Sequence, residues 1–171
     1  MSLARAAPYF IMNDCGICSF FGHRSIDLTD ELYEAVYREI KAQIEAGCRI
    51  FYFGGYGEFD SLCYDIVTRL KEALPDSDIK RVYCVAQERY LWKNTRYFKR
   101  DNYDEIVFLE PAFSWWYKSI YYRNLAMIDK SDAVIFYAEE REDSGAYKAY
   151  KYAKGKKDKV IINLYKAKKA E

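Results

Sequence analysis

The chain has 171 residues, 51% of them hydrophobic, with 18 Tyr and 10 Phe, which is enough for one domain with a real core and excludes a disordered chain. A formal net charge of +1 excludes a global field that would draw the protein to nucleic acid or to an anionic membrane. No apolar run approaches the roughly 20 residues of a membrane span.

The first residues, "MSLARAAPYFIM", lack the apolar core and cleavage site of a signal peptide. Residues 1–12 read as a leader or tag ahead of a start at Met12. Short apolar runs then alternate with helical segments. "ICSFF" (17–21) reads as a strand. Residues 29–46 read as a helix with Leu32, Val36, Ile40 and Ile44 on one stripe, Thr29 as its cap and Gly47 at its end. "RIFYF" (49–53) is a second strand. A helix over about 59–74 follows, with Leu62, Ile66, Leu70 and Leu74 in line and Pro75 as the stop. "RVYCV" (81–85) is a third strand. Residues 86–105 are irregular and rich in Tyr, Trp, Lys and Arg, which suits an excursion that packs as a lid. "EIVFL" (105–109), "AVIFY" (133–137) and "KVIINL" (159–164) are further strands, with helices over about 115–130 and 144–155. The tail 165–171 is expected to fray.

Strands that are apolar throughout, separated by helices, predict a mainly parallel sheet covered on both faces. The right-handed crossover rule makes this an α/β, Rossmann-like three-layer sandwich. There is no internal repeat and no linker, so residues 1–171 read as one domain with its core at about 16–164. The five cysteines, Cys15, Cys18, Cys48, Cys63 and Cys84, make an odd count. Most read as small buried hydrophobes in a reducing cytoplasm. Cys15-x-x-Cys18 lacks the second ligand pair of a zinc site and the helix start of a redox motif.

In such a sheet ligands bind outside the carboxyl ends of the strands. Polar residues gather there three times: Gly22-His23-Arg24 after the first strand, Gly54-Gly55-Tyr56-Gly57-Glu58-Phe59-Asp60 after the second, and Asp143-Ser144-Gly145 after the fifth. The glycines allow a tight turn and close approach of a ligand, and the helix behind them offers free N–H groups, so this loop reads as a phosphate seat. A plain strand-to-helix turn is the bland alternative. Glu58 and Asp60 would repel a phosphate beside them. They read either as helix caps or as contacts to something neutral or cationic, a ribose diol or a Mg²⁺ ion. His23, the only histidine, suits a base, a sugar or a phosphate. Arg24 suits phosphate oxygens or a surface ion pair with Asp27 or Asp30. Arg123 and Asn124 interrupt the apolar stripe of their helix and need polar partners, a loop backbone or a ligand. Trp115, Trp116 and Tyr117 read as core or as a platform for a base.

Four segments, "FFGHR", "FGGYGEFDSLCYD", "YRNLAMIDKSDAVIFY" and "SGAYKAYKYA", run in the order found in the YpsA-like proteins of the SLOG superfamily. That superfamily groups the DNA-processing protein DprA with the LOG cytokinin-activating enzymes, and the nearest branch consists of small bacterial proteins. The resemblance covers about residues 16–164. It implies a Rossmann-like fold that binds a nucleotide or nucleotide-derived ligand through Gly22, His23, Arg24, Gly54, Gly55, Asp60, Arg123, Asn124, Ser144 and Gly145. The LOG pattern PGGxGTxxE is altered: Phe53 replaces its Pro, Glu58 its Thr, and Ser61 stands in place of its Glu. LOG-type hydrolysis would therefore need Glu58 or Asp60 as the catalytic group. The basic stripe that binding of single-stranded DNA uses is absent from the sequence.

The reading is a nucleotide-ligand binding protein, a sensor or signalling component. A hydrolase of the N-glycosidic or phosphate bond of a small nucleotide is its first rival. A protein–protein module, with the tyrosines of "YKSIYYR" and "YKAYKY" as interface, is the second. A homodimer is compatible with all three.

Overall fold

A computed structural model describes residues 16–92, 99–109 and 118–166. Six strands form one all-parallel sheet: β1 (Ile17–Gly22), β2 (Ile50–Phe53), β3 (Lys80–Val85), β4 (Glu105–Phe108), β5 (Ala133–Tyr137) and β6 (Val160–Asn163), in the spatial order β4-β3-β2-β1-β5-β6. Four helices connect them: α1 (Asp30–Glu45), α2 (Glu58–Ala73), α3 (Ser119–Lys130) and α4 (Gly145–Lys154). The expected three-layer sandwich is therefore the observed one. No helix of the described residues is long and apolar enough to cross a membrane.

Alternation along each strand divides the core in two. Cys18, Phe20, Phe51, Phe53 and Ile135 face α1 and α2, and meet Val36, Ile40, Phe59, Ile66 and Val67. Phe21, Tyr52, Val82, Cys84, Val134 and Phe136 face α3 and α4, and meet Ala126, Met127, Ala149 and Ala153. Both faces are buried, which is why the strands read as continuous apolar runs.

Local signals set the helix ends. The Thr29 hydroxyl accepts from the Leu32 amide (3.2 Å) and caps α1. Pro75 opens a 3-10 turn directly after α2. The part of the third helix expected over 115–117, with Trp115, Trp116 and Tyr117, lies outside the described residues, as does 93–98 of the excursion. What is described of the excursion is two 3-10 turns, Glu88–Trp92 and Arg100–Asn102. Cys18, Cys63 and Cys84 are buried free thiols. Cys48 is disulfide-bonded, a departure from the reading of reduced thiols. Local pattern does not say which thiols meet in space.

The switch in chain direction falls at β1. From β1 the chain steps through β2 and β3 to β4, then crosses back to β5 on the other side. Loops leaving β1 and β5 therefore part, and a crevice opens between them.

A charged network away from that crevice holds β3, β4 and α2 together. Arg81 binds Asp104 through Nε and Nη2 (both 3.1 Å) and through its amide (2.7 Å), and Lys71 adds an ion pair at 3.0 Å. Burial alone would raise the Asp104 carboxyl, but the hydrogen bonds from Arg81 and Lys71 outweigh it and hold the group well below its ordinary value. The carboxylate thus adds stability that is present above about pH 4 and lost as the pH falls further. Asp104→Ala leaves the half-buried Arg81 without this carboxylate, bonded to the neutral hydroxyls of Tyr64 and Thr68, and is expected to cost about 2 kcal/mol in urea denaturation at pH 7. The cost should shrink toward pH 3; a cost independent of pH would contradict this account.

Candidate functional site

A cleft of about 410 Å³ opens at the carboxyl ends of the strands, at the switch point. Its β1 wall is Gly22, His23 and Arg24; its β2 wall is Gly54, Tyr56 and Asp60. Arg123 and Asn124 reach it from α3, and Ser144 and Gly145 from the start of α4. Nine of the twelve residues named from sequence as ligand-binding thus share one cleft: Gly22, His23, Arg24, Gly54, Asp60, Arg123, Asn124, Ser144 and Gly145. The other three, Gly55, Gly57 and Glu58, support its walls from behind.

Glu58 braces the first wall. Its amide donates to the Arg24 carbonyl (2.8 Å), and its Oε2 accepts from the Ile26 amide (2.9 Å) and the Ser25 hydroxyl (3.3 Å). Gly57 makes this approach possible. A Cβ there would stand 3.0 Å from the Arg24 Cα, and its φ of 102° is one that other residues rarely adopt.

Asp60 braces the second wall. Its two carboxylate oxygens accept from the amides of Gly54 and Gly55, each at 3.1 Å. Gly55 takes a left-handed φ of 69° to present its N–H. The carboxyl is 7% exposed. Burial raises it from 3.8 to about 6, against the lowering effect of the amide bonds and the Arg123 charge. Glu58 and Asp60 therefore answer an odd feature of the sequence, two acids beside a glycine turn: each holds one wall of the cleft by its backbone.

Arg123 locks the floor. Nη1 donates to the carbonyls of Gly54 (3.1 Å) and Cys84 (2.9 Å), and Nε to Asn124 Oδ1 (2.9 Å). For Arg123 the need for polar partners is met by backbone carbonyls, one in the glycine loop and one in β3, and by Asn124. His23 ties β1 to the β5 loop. The Glu139 amide donates to its Nε2 (2.8 Å), so Nδ1 carries the proton of the neutral ring. Burial, then the Arg141 charge, lower its pKa, partly offset by Glu139. Its neutral form is favoured, and stability that depends on it is lost as the pH falls from 6.5 through the lowered value.

At the mouth, the Arg24 guanidinium lies over the Tyr56 ring, 4.5 Å from its centre, and Tyr56 is half exposed. Its recorded contact is thus the aromatic face rather than Asp27 or Asp30. Ser144 caps α4 by accepting from the Tyr147 amide (3.3 Å). Sequence reasoning does not single out Tyr56, Ile120 or Arg141 as ligand-binding, and all three line the cleft. Arg141 was within reach, because it lies in the same β5 loop as Asp143 and so on the same edge.

Among the described residues no group of three or more His, Cys, Asp or Glu is placed to hold a metal ion. Glu58 and Asp60, considered for Mg²⁺, turn oxygens to backbone amides instead. The "SD" part of the family-like pattern sits at the opposite edge of the sheet, where Asp132 Oδ2 accepts from the amides of Gly16 and Ile17 (both 3.0 Å) and secures the start of β1. No protein-family model matches the chain, and no curated protein matches it either.

Proposed function

We propose that the cleft binds a nucleotide or nucleotide-derived small molecule and that the protein acts as a sensor or signalling component. The observation that carries this reading is the place of the cleft: a crevice at the switch point of a parallel sheet, where such folds take nucleotides, lined by Arg24, Arg123 and Arg141. Its volume suits a mononucleotide-sized ligand. The half-exposed Tyr56 at the mouth, with Arg24 over its ring, puts an aromatic and a cation where a base or phosphate would enter. The resemblance of the four segments to YpsA-like proteins of the SLOG superfamily supports the same ligand class.

Binding is favoured over hydrolysis by the two acids. Both catalytic candidates hold backbone amides, and a carboxylate so engaged is poorly placed to take a proton from water or to face an oxocarbenium ion. The interaction-module reading draws less support. Tyr147 and Tyr152 hydrogen-bond Glu140 and Asp129 on the protein's own surface.

A thermal-shift panel of nucleotides, cyclic nucleotides, dinucleotides and ADP-ribose derivatives tests the proposal. A ligand at about 100 times its Kd adds about 2.7 kcal/mol, which for a chain of this size raises Tm by roughly 5–10 °C. The expected hit weakens in Arg24→Ala, whose side chain is exposed and whose removal leaves the core intact. A panel with no hit, on protein shown by mass spectrometry to be ligand-free, would count against the reading.

A further inference from the structure

We infer that the anionic end of the ligand, a phosphate or phosphomonoester, is held between Arg123 and the N-terminal amides of α4, and not on the glycine loop. The inference rests on the nucleotide reading of the same cleft and says which wall recognises the charge.

The glycine loop is already occupied. The Gly54 and Gly55 amides point at Asp60, and the Glu58 amide at the Arg24 carbonyl. The first turn of α2 also carries two acids, Glu58 and Asp60, which take the place an anion would fill. A phosphate there would break bonds that hold the wall and would face a carboxylate.

Arg123 presents the opposite situation. Its residue is 8% exposed, yet its three recorded acceptors, the Gly54 and Cys84 carbonyls and the Asn124 amide oxygen, are all neutral. Among the described residues no carboxylate pairs with it; Asp60 feels its charge, but the Asp60 oxygens face amides. Nη2 has no hydrogen-bond partner among the described residues, and it borders the cleft beside Gly54, where a Cβ would stand 3.0 Å from it. A cation so buried calls for a counter-charge. The cleft is where one can arrive.

The α4 terminus is the complementary half. α3 and α4 pack side by side on one face of the sheet, and both begin at its carboxyl edge. Arg123, from the first half of α3, and Gly145, at the start of α4, line the same cleft. The first turn of α4 has no acidic residue, Gly145 and Ala146 line the cleft, and a Cβ on Gly145 would meet nothing within 4 Å. Ser144 takes the Tyr147 amide, while the Gly145 and Ala146 amides have no acceptor among the described residues and, with the helix dipole, are open to an anion. Arg141 stands on the rim, where among the described residues it makes long ion pairs to Glu139 (3.9 Å) and to the exposed Asp143 (3.6 Å), which a phosphate can displace.

The test is a ¹H–¹⁵N NMR titration with inorganic phosphate, with chloride at matched ionic strength as control. In the wild type the amides of Gly145 and Ala146 and the Arg123 Nε–H are expected to shift saturably, while Gly54–Gly57 stay still. Gly145→Asp sets a carboxylate in open space at a helix start, so it folds, and it is expected to raise the apparent Kd for phosphate at least about tenfold. Arg123→Gln should weaken phosphate to a similar degree. Saturable shifts confined to Gly54–Gly57 would overturn the placement and leave the nucleotide reading standing. No saturable response at Gly145 or Ala146, or an unchanged Kd in Gly145→Asp, would overturn it as well. A phosphate response without any nucleotide hit in the thermal panel would sink the nucleotide reading and leave the anion site in place.

Discussion

Gly22→Ala is expected to cost about 3 kcal/mol and to lower Tm by roughly 6–12 °C. A Cβ at position 22 would fall 2.3–2.5 Å from three atoms of Phe59, far inside van der Waals contact. Phe59 has nowhere to retreat. It is 0% exposed, its ring stacks on Tyr137 at 5.7 Å, and it is the second residue of α2. Moving it moves the start of α2, and with it the Glu58 and Asp60 braces of both cleft walls. The variant should therefore lose ligand-induced stabilisation along with intrinsic stability. Gly145→Ala is the matched control. Its Cβ enters open space, and exchanging Gly for Ala at an unstrained helix start should change stability by less than about 1 kcal/mol, in the stabilising direction. Thermal and urea denaturation of both decides the matter; a loss under about 1 kcal/mol at Gly22 would mean that Phe59 turns aside freely and that the packing described is wrong.

Asp60→Asn is expected to change the pH dependence of stability by about 3 kcal/mol relative to the wild type between pH 4 and pH 7. Asp60 ionises at about 6 in the folded protein, because burial outweighs its amide bonds and Arg123, and at about 3.8 when exposed. Between those values the folded state binds more protons than the unfolded one. The stability Asp60 contributes is therefore full below about pH 4 and lost as the pH rises through about 6. A gap of this size corresponds to about 3 kcal/mol. Asparagine does not titrate, so the variant gains on the wild type over that interval. His23 pulls the other way, since its lowered pKa makes stability rise with pH, but it is present in both proteins and cancels in the difference. The amide comparison is local. The introduced asparagine offers one oxygen and one NH₂ where Gly54 and Gly55 need two acceptors, so one loop amide should lose hydrogen-exchange protection at pH 7. Parallel urea-stability curves for the two proteins from pH 4 to 7 would show that Asp60 is not buried as described.

These two positions also mark how far the site was legible beforehand. Gly22 and Asp60 were both named from sequence as ligand contacts, and both do line the cleft. What they do there is chiefly to position other residues: Gly22 makes room for Phe59, and Asp60 holds two amides. A carboxylate near a glycine turn looks the same in sequence whether its oxygens face a ribose or the loop itself. Only the folded path of residues 54–60, with Gly55 left-handed, turns them toward the loop. Arg123 is the converse case. Its place within an apolar helix stripe announced a buried polar group in need of partners, and the partners proved to be carbonyls from two different strand ends.

The sequence by itself determined the elements and their class. Apolar runs with helices between them require a parallel sheet buried on both faces, and a parallel sheet with right-handed crossovers must bring its strand ends to one edge. That is why His23, Gly54 and Ser144, far apart in the chain, are gathered by pattern alone. Tertiary structure alone decided the strand order β4-β3-β2-β1-β5-β6, hence the crevice between the loops of β1 and β5. It also decided which helix start is closed by its own acids and which is left open beside an unneutralised arginine. Those outcomes depend on the direction of single N–H and C=O groups across long separations, and no period of about 2 or 3.6 residues carries that information.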